Sequence, residues 1–278
     1  MAPRLLAAAL RRARYVARVP EVDERTLLAS AIPFALRMRQ SFRGIEVREG
    51  MLIQGPSGWG EFAPFDDYDD RMAARWLGTA IEAAFGDWPV PARTSIAVNA
   101  IIPAVSADAA AVMARDAVLG DGCTTVKVKV GTGLAADEAR VASVRHSLDV
   151  ALGHGRGRIR LDANAAWSGP DAVTALRRLR AYGIEYVEQP CASASDLRQG
   201  RASCDVPIAV DEYLRQAPDL RALRDQAAQI AELADVAIIK PTPLGGIAVA
   251  LELAAALTIP VVVSGAMESS VGLAVPIA

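Results

Sequence analysis

Histidine is nearly missing from this chain: there are two in 278 residues, His146 and His154. Both stand in charged or glycine-rich surroundings, so we expect them at the surface. Chemistry that needs an imidazole is thereby disfavoured. Cysteine is scarce too. Cys123, Cys191 and Cys204 are odd in number and lack metal-type spacing, which argues against a disulfide framework and suits a reducing compartment. A cysteine nucleophile is disfavoured, because only two histidines exist to activate it. The formal net charge is only −2 and there is no long basic run, so nucleic acid is not an expected partner. No apolar run reaches the length of a membrane span. The opening "MAPRLLAAALRRARYVARVP" has an apolar core too short for a secretory signal, and arginines follow where a cleavage site should be. We therefore expect a cytoplasmic protein, monomeric or homo-oligomeric.

Hydrophobic residues are plentiful, at 52%, and can supply a sizeable core. From about residue 95 they follow a regular beat. Short Val- and Ile-rich runs occur at "TSIAVNAIIP", "TTVKVKV", "RIRLDAN", "IEYVEQP", "VPIAVDE", "VAIIKP" and "PVVVSG". Ala- and Leu-rich stretches at helical spacing lie between them, one opened by Ser168-Gly169-Pro170 and closed by Gly183. Strand and helix in alternation mean parallel βαβ units. An open doubly wound sheet and a (β/α) barrel both fit this beat. No glycine-rich dinucleotide fingerprint follows any strand, which counts against the open sheet. Polar residues recur at the same end of strand after strand: Asp162 and Asn164, then Glu188, Asp211 and Glu212, Lys240, and Ser264. A barrel gathers those ends on one face. The expected architecture is a (β/α) barrel over 94–278, lacking its last strand and so left with open edges. A small α+β unit over 33–93 precedes it, with a meander and one helix. Residues 1–32 form a lead, either an amphipathic helix or a disordered segment.

Asp162, Glu188 and Asp211 end three consecutive strands. In a barrel their carboxylates point at one spot, and three uncompensated anions cannot share a dry cavity without a large cost. A divalent cation resolves this, and oxygen ligands without Cys or His favour Mg²⁺, or Mn²⁺, over Zn²⁺. In "TTVKVKVG", Val126, Val128 and Val130 form one strand face, and Lys127 and Lys129 form the other. Lys240 lies on a strand roughly opposite. A desolvated lysine beside a cation has its neutral form favoured and can act as a base. A lysine base paired with Mg²⁺ is one established way to stabilise the dianion made by taking a proton next to a carboxylate.

The motifs "KVKV", "LDANAAW", "EYVEQP", "VDE", "IIKPTPLGG" and "SGAMESSVG" together resemble the enolase superfamily, in its muconate-lactonising-enzyme-like branch. Within the branch, "SFRGIEVREGMLIQGPSGWGEFAPF", "DDYDDRMAARWL", "VNAIIPAV" and "VEQPCAS" are similar to the actinobacterial o-succinylbenzoate synthases of menaquinone biosynthesis. The resemblance implies a lyase that dehydrates 2-succinyl-6-hydroxy-2,4-cyclohexadiene-1-carboxylate, a small-molecule carboxylate. It implies Asp162, Glu188 and Asp211 as Mg²⁺ ligands and Lys129 as the base. It places the Lys240 charge over the substrate ring, with Lys127 binding the carboxylate or tuning its neighbour. Asn164 and Glu212 would support these groups from behind. Ser264, Gly265 and Met267 would line a succinyl pocket. Phe42, Arg43 and Gly44 would fall in a mobile loop of the capping unit.

Two other readings stay open. An N-acylamino-acid racemase or dipeptide epimerase of the same branch would use the same two lysines. A truncated, non-catalytic paralogue would keep the fold alone. Trp59 and Phe62 are expected in the core of the small unit, "DDYDD" as a solvated helix start, and Glu268 and Ser269 as a helix N-terminal device.

Overall fold

The computed structural model describes residues 21–42, 44–90 and 93–278. Arg43 and most of the expected lead, residues 1–20, lie outside the described residues. Helix α1 (Glu24–Ser30) begins at Asp23, whose carboxylate accepts from Thr26 N at 2.9 Å and so satisfies an end amide. The chain then runs directly into β1 (Ala31–Phe42), β2 (Ile45–Gly55) and β3 (Gly58–Phe62), an antiparallel meander in that order. Helix α2 (Asp70–Phe85) crosses it, started by the Asp69 side chain on Met72 N and stopped at Gly86. The approach of β3 to α2 is close: a methyl on Gly60 would come within 1.9 Å of the Ala80 carbonyl oxygen. Leu27, Ile53, Phe62, Trp76 and Leu77 fill this unit's core. Trp59 does not join them. It lies on the β3 face turned away from α2 and is 38% exposed, because Gly60 and Phe62 take the inward positions of a period-two strand.

The second unit alternates strand and helix: β4 (Ala100–Ile102), α3 (Ala107–Leu119), β5 (Thr125–Lys129), α4 (Leu134–Leu152), β6 (Arg158–Asp162), α5 (Gly169–Leu179) and β7 (Ile184–Glu188). It continues with α6 (Ala194–Ser203), β8 (Ile208–Val210), short helices α7 (Glu212–Arg215), α8 (Leu220–Asp225) and α9 (Ala227–Leu233), then β9 (Val236–Ile239). Helices α10 (Pro241–Leu244) and α11 (Ile247–Ala256), β10 (Val261–Val263) and α12 (Ala274–Ile277) complete it. The seven strands form one parallel sheet in chain order, curled as a partial barrel of the enolase type.

Period-two alternation sorts the sheet into two layers. Val126, Val128, Ile159, Leu161 and Val187 point outward into one helix-covered core. Ile208, Val210, Ala237 and Ile239 point outward into another, and Trp167 packs against both. On the inner face, Tyr186, Ala209 and Ile238 make a small buried floor. The next residue up on each inner face is Glu188, Asp211 and Lys240. The pleat thus lifts the charged residues onto one rim above an apolar base.

The small unit docks on the loops after β8, β9 and β10. Glu82 accepts from Ile247 N at 2.5 Å and Ala248 N at 3.0 Å, capping α11 from outside. Glu61 accepts from Ser269 N and Gly272 N, each at 3.0 Å. Thr79 Oγ1 donates to Thr242 O at 3.0 Å, and Arg48 Nε to Met267 O at 3.1 Å.

Candidate active site

Parallel register sets one half of the rim. Lys129 pairs with Asp162 across β5 and β6, and Asp162 pairs with Glu188 across β6 and β7. Lys129 Nζ reaches Asp162 Oδ2 and Asn164 Oδ1, each at 2.5 Å. Lys127 Nζ lies between Glu188 Oε2 at 3.0 Å and Asp162 Oδ2 at 3.3 Å. On the other side, Lys240 Nζ contacts Asp211 Oδ2 at 2.6 Å and comes within 4.0 Å of Glu188 Oε1. Asp162, Glu188 and Asp211 are at most 1% exposed.

These charges tune one another. Burial holds Lys129 below the ordinary lysine pKa, against the pull of Asp162. Burial works on Lys127 in the same sense, but Glu188 and Asp162 outweigh it and hold that lysine above its ordinary value. Burial, helped by the charges of Asp162 and Asp211, pushes Glu188 up to about 7 despite Lys127. Asp162 and Asp211 stay low. Burial opposes this, but Lys127 and Lys129 overcome it at Asp162, and Lys240 and Arg215 at Asp211.

Among the described residues, no group of three acidic, histidine or cysteine side chains converges as a ready-made metal cage. Ammonium groups stand between the carboxylates instead. Two buried carboxylate oxygens, Glu188 Oε1 and Asp211 Oδ1, nevertheless have no hydrogen bond. Arg215 Nε forms an ion pair with the second, at 3.2 Å. Carboxylate oxygens without a hydrogen bond on neighbouring strand ends are hard donors and fit a hard divalent cation.

A cavity of about 1060 Å³ opens above the rim. Lys127, Lys129, Lys240, Asp162 and Asn164 line it, with Ser264, Gly265 and Met267 on one side and Phe42 on another. The Phe42 ring centroid is 5.6 Å from Lys129 Nζ. Glu188 and Asp211 lie behind this lining. Glu212 turns away to a separate hollow of about 370 Å³ that it shares with Tyr213 and Asn164, and its Oε1 accepts from Asn164 Nδ2 at 3.0 Å. The expectation for Arg43 falls outside the described residues. Glu268 and Ser269 are engaged within the protein: Glu268 accepts from Ala266 N and from Thr242 Oγ1, and Ser269 bonds to Glu61. Both histidines are exposed, His154 almost completely.

Three supporting residues escaped the sequence reading. Gln189, with φ at 40°, accepts from Asp211 N at 3.0 Å and Tyr213 N at 3.1 Å and so holds the β8 rim. Arg215 contacts both Asp211 and Glu212. The spacing in "DEYLR" carried that signal, since residues three and four apart meet on a helical turn. Tyr68 lies inside the supposedly solvated "DDYDD", yet it packs edge-on against Phe65 and accepts from Arg215 Nη1.

Comparison with known proteins agrees with this fold. The enolase C-terminal-domain-like family matches residues 109–278, and the enolase N-terminal-domain-like family matches 33–84. The o-succinylbenzoate synthase of Thermobifida fusca is 48% identical over 248 residues, 88% of this chain and 74% of that protein. The o-succinylbenzoate synthase of Mycolicibacterium smegmatis is 47% identical over 261 residues, 92% of this chain and 75% of that protein. Among solved structures, the L-Ala-D/L-Glu epimerase of Bacillus subtilis has TM-score 0.69 at 24% identity, over 87% of this chain and 83% of that one. A dipeptide epimerase of Enterococcus faecalis, complexed with Mg and L-Leu-L-Tyr, has TM-score 0.70 at 22% identity, over 88% and 84%. The epimerases share the fold, while the closer sequence likeness lies with the synthases. This chain belongs to the enolase superfamily, in its o-succinylbenzoate synthase family.

Proposed function

We propose that the protein dehydrates 2-succinyl-6-hydroxy-2,4-cyclohexadiene-1-carboxylate to o-succinylbenzoate, with Lys129 as the base and Asp162, Glu188 and Asp211 holding Mg²⁺. The observation that carries this is the row Lys129–Asp162–Glu188, set in register beneath a cavity of about 1060 Å³ in a member of this family. Bound Mg²⁺ supplies positive charge for the substrate carboxylate as it gains electron density. Lys129, held below its ordinary pKa by burial, takes the proton from the ring carbon that bears the carboxylate. The same ammonium then returns that proton to the hydroxyl leaving the neighbouring carbon. Water departs, and the new double bond completes the aromatic ring. Lys127, held cationic by Glu188 and Asp162, keeps the carboxylate end of the cavity positive. Lys240, across the rim, faces the ring. Asn164 orients Lys129. Ser264, Gly265 and Met267 wall the space for the succinyl arm.

The test is turnover of the cyclohexadiene, followed by its ultraviolet absorbance, with Mg²⁺ and then with EDTA. We expect absorbance loss that needs the metal. A folded protein that leaves the absorbance unchanged at saturating Mg²⁺ would overturn the assignment. A second reading, racemisation of an N-acylamino acid, is favoured by lysines on both sides of the carboxylates, Lys129 at Asp162 and Lys240 at Asp211. It predicts exchange of the α-proton of such a substrate in D₂O, lost on changing either lysine.

A further inference from the structure

Arg215 lines the large cavity, as Tyr68 does, and it shares the Asp211 carboxylate with Lys240. The Arg215 side chain is 4% exposed. Nε lies 3.2 Å from Asp211 Oδ1 and 3.3 Å from Oδ2, Nη2 lies 2.7 Å from Glu212 Oε1, and Nη1 donates to Tyr68 Oη at 2.6 Å. The guanidinium is a rigid plane, so three partners in three directions fix its orientation. Tyr68 is itself fixed, packed edge-on against Phe65 at 5.3 Å and Trp76 at 6.3 Å. Arg75 of α2 donates to Arg215 O at 3.0 Å and Ala217 O at 2.6 Å and clamps the same turn. Such a brace matters here because Asp211 lies beyond the end of a three-residue strand, at φ −124° and ψ −71°. The sheet ladder does not aim its side chain.

We propose that Arg215 is a positioning residue that aims Asp211 at the divalent cation, and that Tyr68 of the N-terminal unit sets Arg215, so that seating the small unit on the barrel raises cation affinity. This rests on the metal reading above. A hydrogen bond that merely tied the two units together would stabilise the metal-free and metal-loaded protein alike. A positioning contact stabilises the loaded form more, because cation affinity and folding are linked.

The experiment titrates Mg²⁺ into the full chain by calorimetry and measures Tm with and without Mg²⁺. It compares the native protein with Tyr68→Phe, Arg215→Lys and the double variant. Tyr68→Phe keeps the packed ring and removes only the hydroxyl. We expect Arg215→Lys to weaken Mg²⁺ binding by about 10–100-fold, the usual scale for residues that orient a ligand. We expect Tyr68→Phe to weaken it by several-fold, and the double variant to be no weaker than Arg215→Lys, since Tyr68 acts through Arg215. The Mg²⁺-dependent rise in Tm should shrink in the same order. Unchanged affinity in both single variants, with Tm lowered equally in the two conditions, would overturn the proposal. If Arg215→Lys does not fold, Tyr68→Phe decides alone. A native protein that binds Mg²⁺ but leaves the cyclohexadiene intact overturns the assigned reaction, and the affinity comparison still decides the coupling. A native protein that binds no Mg²⁺ overturns the metal site and the coupling together.

Discussion

The two halves of the rim are built differently. On the β5–β7 side, Lys127, Lys129, Asp162 and Glu188 are residues of the strands themselves, five residues each, aligned by backbone ladders. On the β8–β10 side the strands are three or four residues long, and Asp211, Lys240 and Ser264 stand just past their ends. There the positioning falls to side chains: Gln189 on the Asp211 amide, Arg215 on its carboxylate, and Arg48, Glu61, Thr79 and Glu82 of the small unit on the loops. One half is placed by the sheet and the other by docking. The proposed base, Lys129, lies on the rigid half, where misplacement by an ångström would cost most. The loop-built half also carries the walls expected to meet the succinyl arm, and loops change their lining without disturbing a sheet.

The largest effect should come from the rigid half. Lys129→Ala is expected to lower kcat/KM by about 10²–10⁴-fold, the range for losing a positioned general base, with far-ultraviolet dichroism retained. The lysine points into the cavity and its removal leaves the ladder whole. Native turnover in that variant would remove Lys129 from the mechanism.

A smaller effect separates the buried carboxylate at the end of β7 from its neighbours. Glu188 is pushed up to about 7 by burial and by two nearby carboxylates. Between its ordinary pKa and that value, the folded metal-free chain keeps a proton that the unfolded chain releases. Stability conferred by that proton is complete below the ordinary value and is lost as pH rises through about 7. Asp162 and Asp211, held low, stay charged throughout that window. In EDTA, Tm should therefore fall from pH 5 to pH 7 by a few degrees, a loss on the order of 1 kcal/mol or more. Glu188→Gln should flatten that slope, and an equal slope in the variant would assign the proton elsewhere.

The same division decides what the sequence could reveal. Period-two alternation and polar strand ends marked Lys127, Lys129, Asp162, Glu188, Asp211 and Lys240, because those features are local and repeat from strand to strand. The supports on the loop-built half were harder to read. Tyr68 sits in an acidic run that looks solvated, and its partner Arg215 is far along the chain. Glu61 and Glu82 look like surface acids, but each caps backbone amides of the other unit. Trp59 misled in the opposite direction: its size suggested core, while its strand parity turned it outward. Contacts between units leave no period in either segment.

The smallest expected effect tests whether docking contacts contribute equally. Glu82 is desolvated, which raises its pKa, while the amides of Ile247 and Ala248 partly offset this. It caps α11 rather than any rim residue. Glu82→Gln keeps one acceptor oxygen and loses the charge that favours a helix N-terminus. The expected cost is about 0.5–2 kcal/mol, the scale of a lost N-cap, read as a fall of a few degrees in Tm. Because the hydrogen bonds of Glu82 go to the first amides of α11, kcat/KM should stay within about twofold, an energy change below 0.5 kcal/mol. Mg²⁺ affinity should be unchanged. A loss of affinity as large as that of Arg215→Lys would mean that the loops after β8 and β9 move as one body, and that docking acts on the whole half rather than through the Arg215 contact with Asp211.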